Sequence, residues 1–121
     1  MSVPVLMAVG LLGGAGAVAR FLLDGAVSRR AGRAFPFGTL TVNLTGAFLL
    51  GLLVGAAPGG DADRLLGTGL LGGYTTFSTW ALESHRLGED GELRLGALNF
   101  AVALTLGLGL AWVGRLLGGA L

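Results

Sequence analysis

Nine consecutive residues, 72–80, crowd two glycines, three threonines, a serine and three aromatics together: Gly72-Gly73-Tyr74-Thr75-Thr76-Phe77-Ser78-Thr79-Trp80. Paired glycines let a backbone leave its helix. The carbonyls this would free between Gly72 and Thr75 suit a cation, as in broken membrane helices. The hydroxyls of Thr75, Thr76, Ser78 and Thr79 instead offer protons to an anion. Phe77 and Trp80 lie three apart on one helix face, and the positive edges of their rings favour an anion approaching in the ring plane. Each residue also has a plainer reading. Serine and threonine often bond their own helix carbonyls, and aromatics fill cores or anchor at membrane interfaces. Glycines and aromatics interleaved with the hydroxyls favour ion handling for the cluster as a whole.

Other polar residues are scattered through apolar stretches. Thr39, Asn43 and Gly46 share one helix face by their spacing. Asn43 and Asn99 are equally readable as interhelical glue or as lining for a polar path, because a carboxamide in hydrocarbon needs partners. Thr105 is a further hydroxyl in the last apolar stretch. Arg20 either snorkels to an interface or draws anions into a wet vestibule, and Asp24 one turn later is within pairing reach. Enzyme chemistry finds little support. There is one histidine and no cysteine, and Ser78 has no base nearer than Glu83. No metalloprotease, phosphate-loop or dinucleotide motif occurs, and Gly13-Gly14-Ala15-Gly16 follows no strand.

The elements that must position these groups are membrane helices. Charged residues are 12% and apolar residues 53% of the 121, and mean hydropathy is +0.78. Soluble domains carry about 25% charge. Apolar runs of the ~20 residues needed to cross a bilayer place spans at about 3–27, 36–57, 62–83 and 93–117, in one four-helix transmembrane domain. Gly72 and Gly73 are expected to break the third span at mid-membrane, with a non-helical interruption near Gly73 to Thr76 and a second short helix after it. Glycine is 24 of 121, and Gly10 with Gly14, and Gly51 with Gly55, make small-xxx-small pairs that let helices approach. Residues 28–33 read as a basic turn and 84–91 as a charged loop, with Asp61 or Asp63 positioned to cap the third span. Arg29, Arg30, Arg33, Arg86 and Arg94 fall on one side, against Arg64 and Arg115 on the other. A positive-inside reading then puts both termini outside.

Three blocks make the chain recognisable: Gly13-Gly14-x-Gly16-Ala17-x-x-Arg20-Phe21, Gly38-Thr39-Leu40-x-Val42-Asn43-x-x-Gly46, and Gly72-Gly73-x-Thr75-Thr76-Phe77-Ser78-Thr79-Trp80. In order and over nearly the whole length, it resembles the small fluoride channel family, the CrcB or Fluc type. The resemblance implies a passive, highly selective fluoride channel of the prokaryotic inner membrane, assembled as an antiparallel, dual-topology homodimer. It also implies a structural sodium ion at the dimer centre, held by the backbone carbonyls of Gly72 and Thr75, with no organic cofactor. The fluoride pathway falls on Asn43, Phe77, Trp80, Thr76, Ser78, Thr79 and Arg20, with Thr39, Asn99 and Thr105 as weaker members.

Three positions depart from that pattern. Trp80 stands where a second phenylalanine is usual, and Ala103 where a hydroxyl often follows the asparagine by one turn. The arginine asymmetry suits a subunit that inserts one way and pairs with a paralogue as a heterodimer. The rival readings are a non-conducting assembly bundle and an ion-coupled fluoride transporter.

Overall fold

The computed structural model describes residues 1–77 and 80–121. Helix α1 (Val3–Ala31) starts on Ser2, whose hydroxyl accepts from the Val5 N–H at 3.3 Å, with Pro4 in the first turn. It runs well past residue 27, so four of the six residues of the expected basic turn are helical. Ser28 Oγ donates to Asp24 Oδ1 (3.2 Å), and Gly32, at φ 82, closes the helix through its N–H to the Ser28 carbonyl. Asp24 is thus engaged by Ser28 rather than by Arg20. Helix α2 (Phe37–Ala56) follows Pro36.

The next stretch changes helix type. A four-residue turn, α3 (Gly60–Asp63), widens into a π-helix, π1 (Arg64–Leu71), and narrows to one turn, α4 (Gly72–Tyr74). Neither aspartate caps it; Gly59 holds the N-cap position and Asp61 pairs with exposed Arg64 at 2.9 Å. Thr75 is extended (φ -81, ψ 156) and Thr76 is also non-helical. The interruption therefore falls inside the stretch expected near Gly73 to Thr76, at its C-terminal half, while Gly72 and Gly73, expected to make the break, are themselves helical. Helix α5 (Phe77–Glu89) resumes the path, and α6 (Leu93–Gly119) completes it. Most of the expected 84–91 loop is helix. Ser84 Oγ bonds back to the Trp80 carbonyl (2.9 Å), His85 meets Glu89 across one turn (2.7 Å), and Gly91, at φ 79, makes the turn. Charge there falls on a continuing helix, not on a loop.

The chain is all-α and multi-pass. Among the described residues, α1, α2 and α6 are each long and apolar enough to cross a bilayer. Its side chains face outward as lipid requires: Leu11 is 76% and Phe21 75% exposed, while the buried apolar side chains are Val42, Leu71 and Trp80. Contact between helices is made largely by backbone. Helix α1 lies along π1 and α4, and α2 along α6. A Cβ on Gly16 would collide with the Leu70 carbonyl, one on Gly73 with the Gly13 carbonyl, and one on Gly114 with the Phe48 carbonyl. Gly51 and Gly55 meet α6 in the same way, at Ala111 and Arg115. Gly10 and Gly14 face open space, so the working pair on α1 is Gly13 with Gly16.

This difference is measurable. Gly16→Ala should lower stability in detergent by about 1–3 kcal/mol, the usual effect of overpacking. Gly10→Ala should be neutral or stabilising by up to about 1 kcal/mol, since alanine is the better helix former. Thermal unfolding of the two variants side by side checks the contrast.

Candidate functional site

Ending one helix and starting another leaves carbonyls and N–H groups without intrahelical partners. Around this break, at Gly73 and Thr76, such groups are met by side chains from two other helices. Asn43, on α2, donates from Nδ2 to the Thr76 carbonyl (2.8 Å) and accepts the Thr76 N–H at Oδ1 (3.0 Å). Its carboxamide therefore stands in for a strand partner. Arg20, on α1, donates from Nε to the Gly73 carbonyl (3.4 Å), bringing a cation to the carbonyl end of α4 where the helix dipole favours one. Arg20 is half-buried and turned inward. Thr75 closes α4 locally: its N–H and its Oγ1 both donate to the Leu71 carbonyl at 3.0 Å.

The face of α2 beneath the break is the one its spacing suggests. Thr39 is 3% exposed, Asn43 grips Thr76, and Gly46 has no room for a Cβ because the Thr75 methyl occupies it. Thr45 Oγ1 and Tyr74 Oη, 2.7 Å apart, add a hydroxyl contact between α2 and the turn before the break.

The aromatic rings begin where the break ends. Phe77 and Trp80 meet edge to face (5.2 Å between centroids, 68°), and Trp80 stacks on Phe100 of α6 (4.7 Å, 22°). Phe77 is 72% exposed, whereas Trp80 is buried, with Nε1 donating to the Asn99 main-chain carbonyl at 3.2 Å. Beside them runs a groove of about 380 Å³. One wall is Asn43, Gly46, Thr75, Thr76, Phe77 and Trp80; the other is Ala103, Leu104, Gly107, Leu108 and Ala111 of α6. The α6 wall presents no side-chain donor.

The structure thus gathers Asn43, Thr75, Thr76, Phe77 and Trp80 in one groove and joins Arg20 to it through Gly73. Gly72 is exposed on the last turn of α4. Thr39 is buried near the start of α2, beside Glu83. Asn99 sits behind Trp80, 1% exposed, and Thr105 is exposed on α6 away from the groove lining. The hydroxyl roles expected of Ser78 and Thr79 lie outside the described residues. Sequence reasoning passed over Tyr74, Ser84 and Phe100. Ser84 was findable, four residues after Trp80 on the same helix face, but its place in an expected loop hid it. Among the described residues no cluster of histidine, cysteine or carboxylate side chains offers a metal site, so a cation at the break would rest on main-chain oxygens.

Asn43→Leu keeps the volume and removes both bonds to Thr76. A part-buried hydrogen bond contributes about 0.5–1.5 kcal/mol, so losing both should cost the variant about 1–3 kcal/mol of stability in a detergent melt. A loss within error of zero would mean that the break does not depend on Asn43.

A family profile described as "CrcB-like protein, Camphor Resistance (CrcB)" matches residues 7–115. The chain is 52% identical over 115 residues to "Fluoride-specific ion channel FluC 2" of Mycobacterium tuberculosis, covering 95% of this chain and 91% of that protein. It is 53% identical over 114 residues to the FluC 2 of Mycolicibacterium paratuberculosis, covering 94% and 93%. It is 45% identical over 116 residues to the FluC 1 of Symbiobacterium thermophilum, covering 91% and 94%.

Proposed function

The chain belongs to the CrcB-like family, and from that membership we propose how its groove works as a fluoride channel. The protein is a passive, fluoride-selective channel of the prokaryotic cell membrane, not an enzyme, and exports the ion down its electrochemical gradient. The relatives named as fluoride-specific channels align over nearly their whole length. The observation that carries the mechanism is the Asn43–Thr76 clamp, which holds a helix open beside aromatic edges.

In this reading the whole chain is one four-span domain, and the run from Gly60 to Glu89 is its third span, interrupted at mid-membrane. Two copies pack antiparallel, and Phe77, 72% exposed in a single chain, is covered by the second copy. Fluoride is small and strongly hydrated, so a selective path must replace its water with close donors while binding weakly enough for release. The hydroxyls of Thr76, Ser78 and Thr79, the second Asn43 N–H and the ring edges of Phe77 and Trp80 supply that replacement. The N-terminal end of α5 adds a favourable dipole, and Arg20 raises the positive potential nearby.

The break also fits a sodium ion. In an uninterrupted helix the Thr76 N–H would return to the Gly72 carbonyl; here it is turned onto Asn43, and extended Thr75 carries its own carbonyl out of the helix. Gly72 and Thr75 would hold the ion through these oxygens. Bound there, sodium adds positive charge and fastens the two broken helices.

Coupled transport is the weaker reading. Coupling usually needs a titratable group in the path, and the groove lining contains none. A non-conducting bundle would have no use for a break held open by two other helices.

In liposomes the purified protein should pass fluoride without measurable chloride, independently of an imposed proton gradient. A fluoride electrode reads this directly, and strict proton dependence would favour the transporter instead. Phe77→Ile should abolish throughput while the protein still assembles. Replacing sodium by a large organic cation at constant ionic strength should reduce both flux and dimer stability; unchanged values would remove the sodium assignment.

A further inference from the structure

The groove uses one side of Trp80; the other side is held by a closed circuit of hydrogen bonds. Trp80 Nε1 donates to the Asn99 carbonyl (3.2 Å), Asn99 Nδ2 donates to Ser84 Oγ (2.8 Å), and Ser84 Oγ donates to the Trp80 carbonyl (2.9 Å). The path leaves Trp80 by its ring, crosses to α6, and returns to the backbone of Trp80. Phe100 stacks on one ring face, and Phe77 meets the ring edge to face. Trp80 and Asn99 are 7% and 1% exposed, so water does not compete for these bonds. Asn99 Oδ1 is buried without a partner. The one hydrogen bond its side chain makes goes to Ser84.

The orientation has a chemical consequence. An indole N–H aimed into a narrow path would be a strong donor to a small hard anion, and an ion held too firmly does not move on. With the N–H committed to a carbonyl of α6, what the ring has left to offer the groove it lines is its C–H perimeter, a weaker partner of the kind Phe77 also offers.

We propose that Asn99 and Ser84 are positioning residues for ion passage, holding the Trp80 ring so that its C–H edge faces the groove and its N–H stays out of it. The proposal rests on the channel reading above and adds two residues to it. It assigns Asn99 to the support of the path rather than to its lining. It also explains how a tryptophan serves here: the extra nitrogen becomes a fastening, and the remaining perimeter acts as a plain aromatic edge.

The chain has two tryptophans, so Trp112→Phe leaves Trp80 as the sole emitter. Trp112 is exposed on α6, with the Arg115 guanidinium over its ring, and does not line the groove. In this background Ser84→Ala and Asn99→Leu should each red-shift the Trp80 emission. Each should also slow fluoride efflux from liposomes by about tenfold, the effect of a modest rise in one barrier. Ser84→Thr, which keeps the hydroxyl, should retain both the parent spectrum and the parent rate. An unshifted spectrum in both Ser84→Ala and Asn99→Leu would overturn the holding role. A shifted spectrum with unchanged efflux would overturn the link to passage. Failure of Ser84→Thr to match the parent where Ser84→Ala also fails would show that the hydroxyl is not what matters. No efflux from the Trp112→Phe parent itself would defeat the channel reading and the pathway role together, while the emission shifts would still decide whether the pair holds the ring.

Discussion

A helix packed among others cannot leave two residues out of its hydrogen-bond ladder unless something else bonds to them. Here that something is chiefly a single carboxamide. Asn43 gives and takes one hydrogen bond with Thr76, and Arg20 takes up the Gly73 carbonyl at the end of the preceding turn. The two side chains come from different helices, so the break persists only while α1 and α2 both lie close to it.

That requirement explains the glycine content better than flexibility does. Gly13, Gly16 and Gly73 bring α1 into backbone contact with the π-helical and helical turns before the break, and Gly46 lets Thr75 settle on α2. Gly51, Gly55, Gly114 and Gly118 do the same for α2 and α6, which fixes the second wall of the groove. Positive φ accounts for few of the glycines; most are helical, and several of these sit where a neighbouring carbonyl would occupy the space of a side chain. The wider π-helical stretch before the break is of the kind often found near functional sites.

The groove that results is asymmetric. Its polar groups all sit on the α2 and break side, while α6 contributes Ala103, Gly107 and Ala111. Helix α6 contributes polarity behind the aromatic wall instead, through the Asn99 amide and main-chain carbonyl that engage Ser84 and Trp80.

Much of this was legible in residue order. Charge scarcity and apolar runs announce a multi-pass helical membrane protein, and the three blocks around Gly13, Asn43 and Thr76 announce the family, because these are statements about composition and local spacing. The face shared by Thr39, Asn43 and Gly46 is likewise a matter of helical period. What residue order left open depended on partners far along the chain. Whether Arg20 snorkels, pairs with Asp24 or caps Gly73 is decided 53 residues away. Whether Gly10 or Gly13 is the close-packed glycine depends on the angle at which π1 crosses α1. That the interruption, expected near Gly73 to Thr76, settles on Thr75 and Thr76 and spares the glycines follows from where Asn43 can reach, and the role of Asn99 from Ser84 standing opposite it. A sequence states which groups need a partner in a place without water; only the packing of one helix on another selects which partner they get.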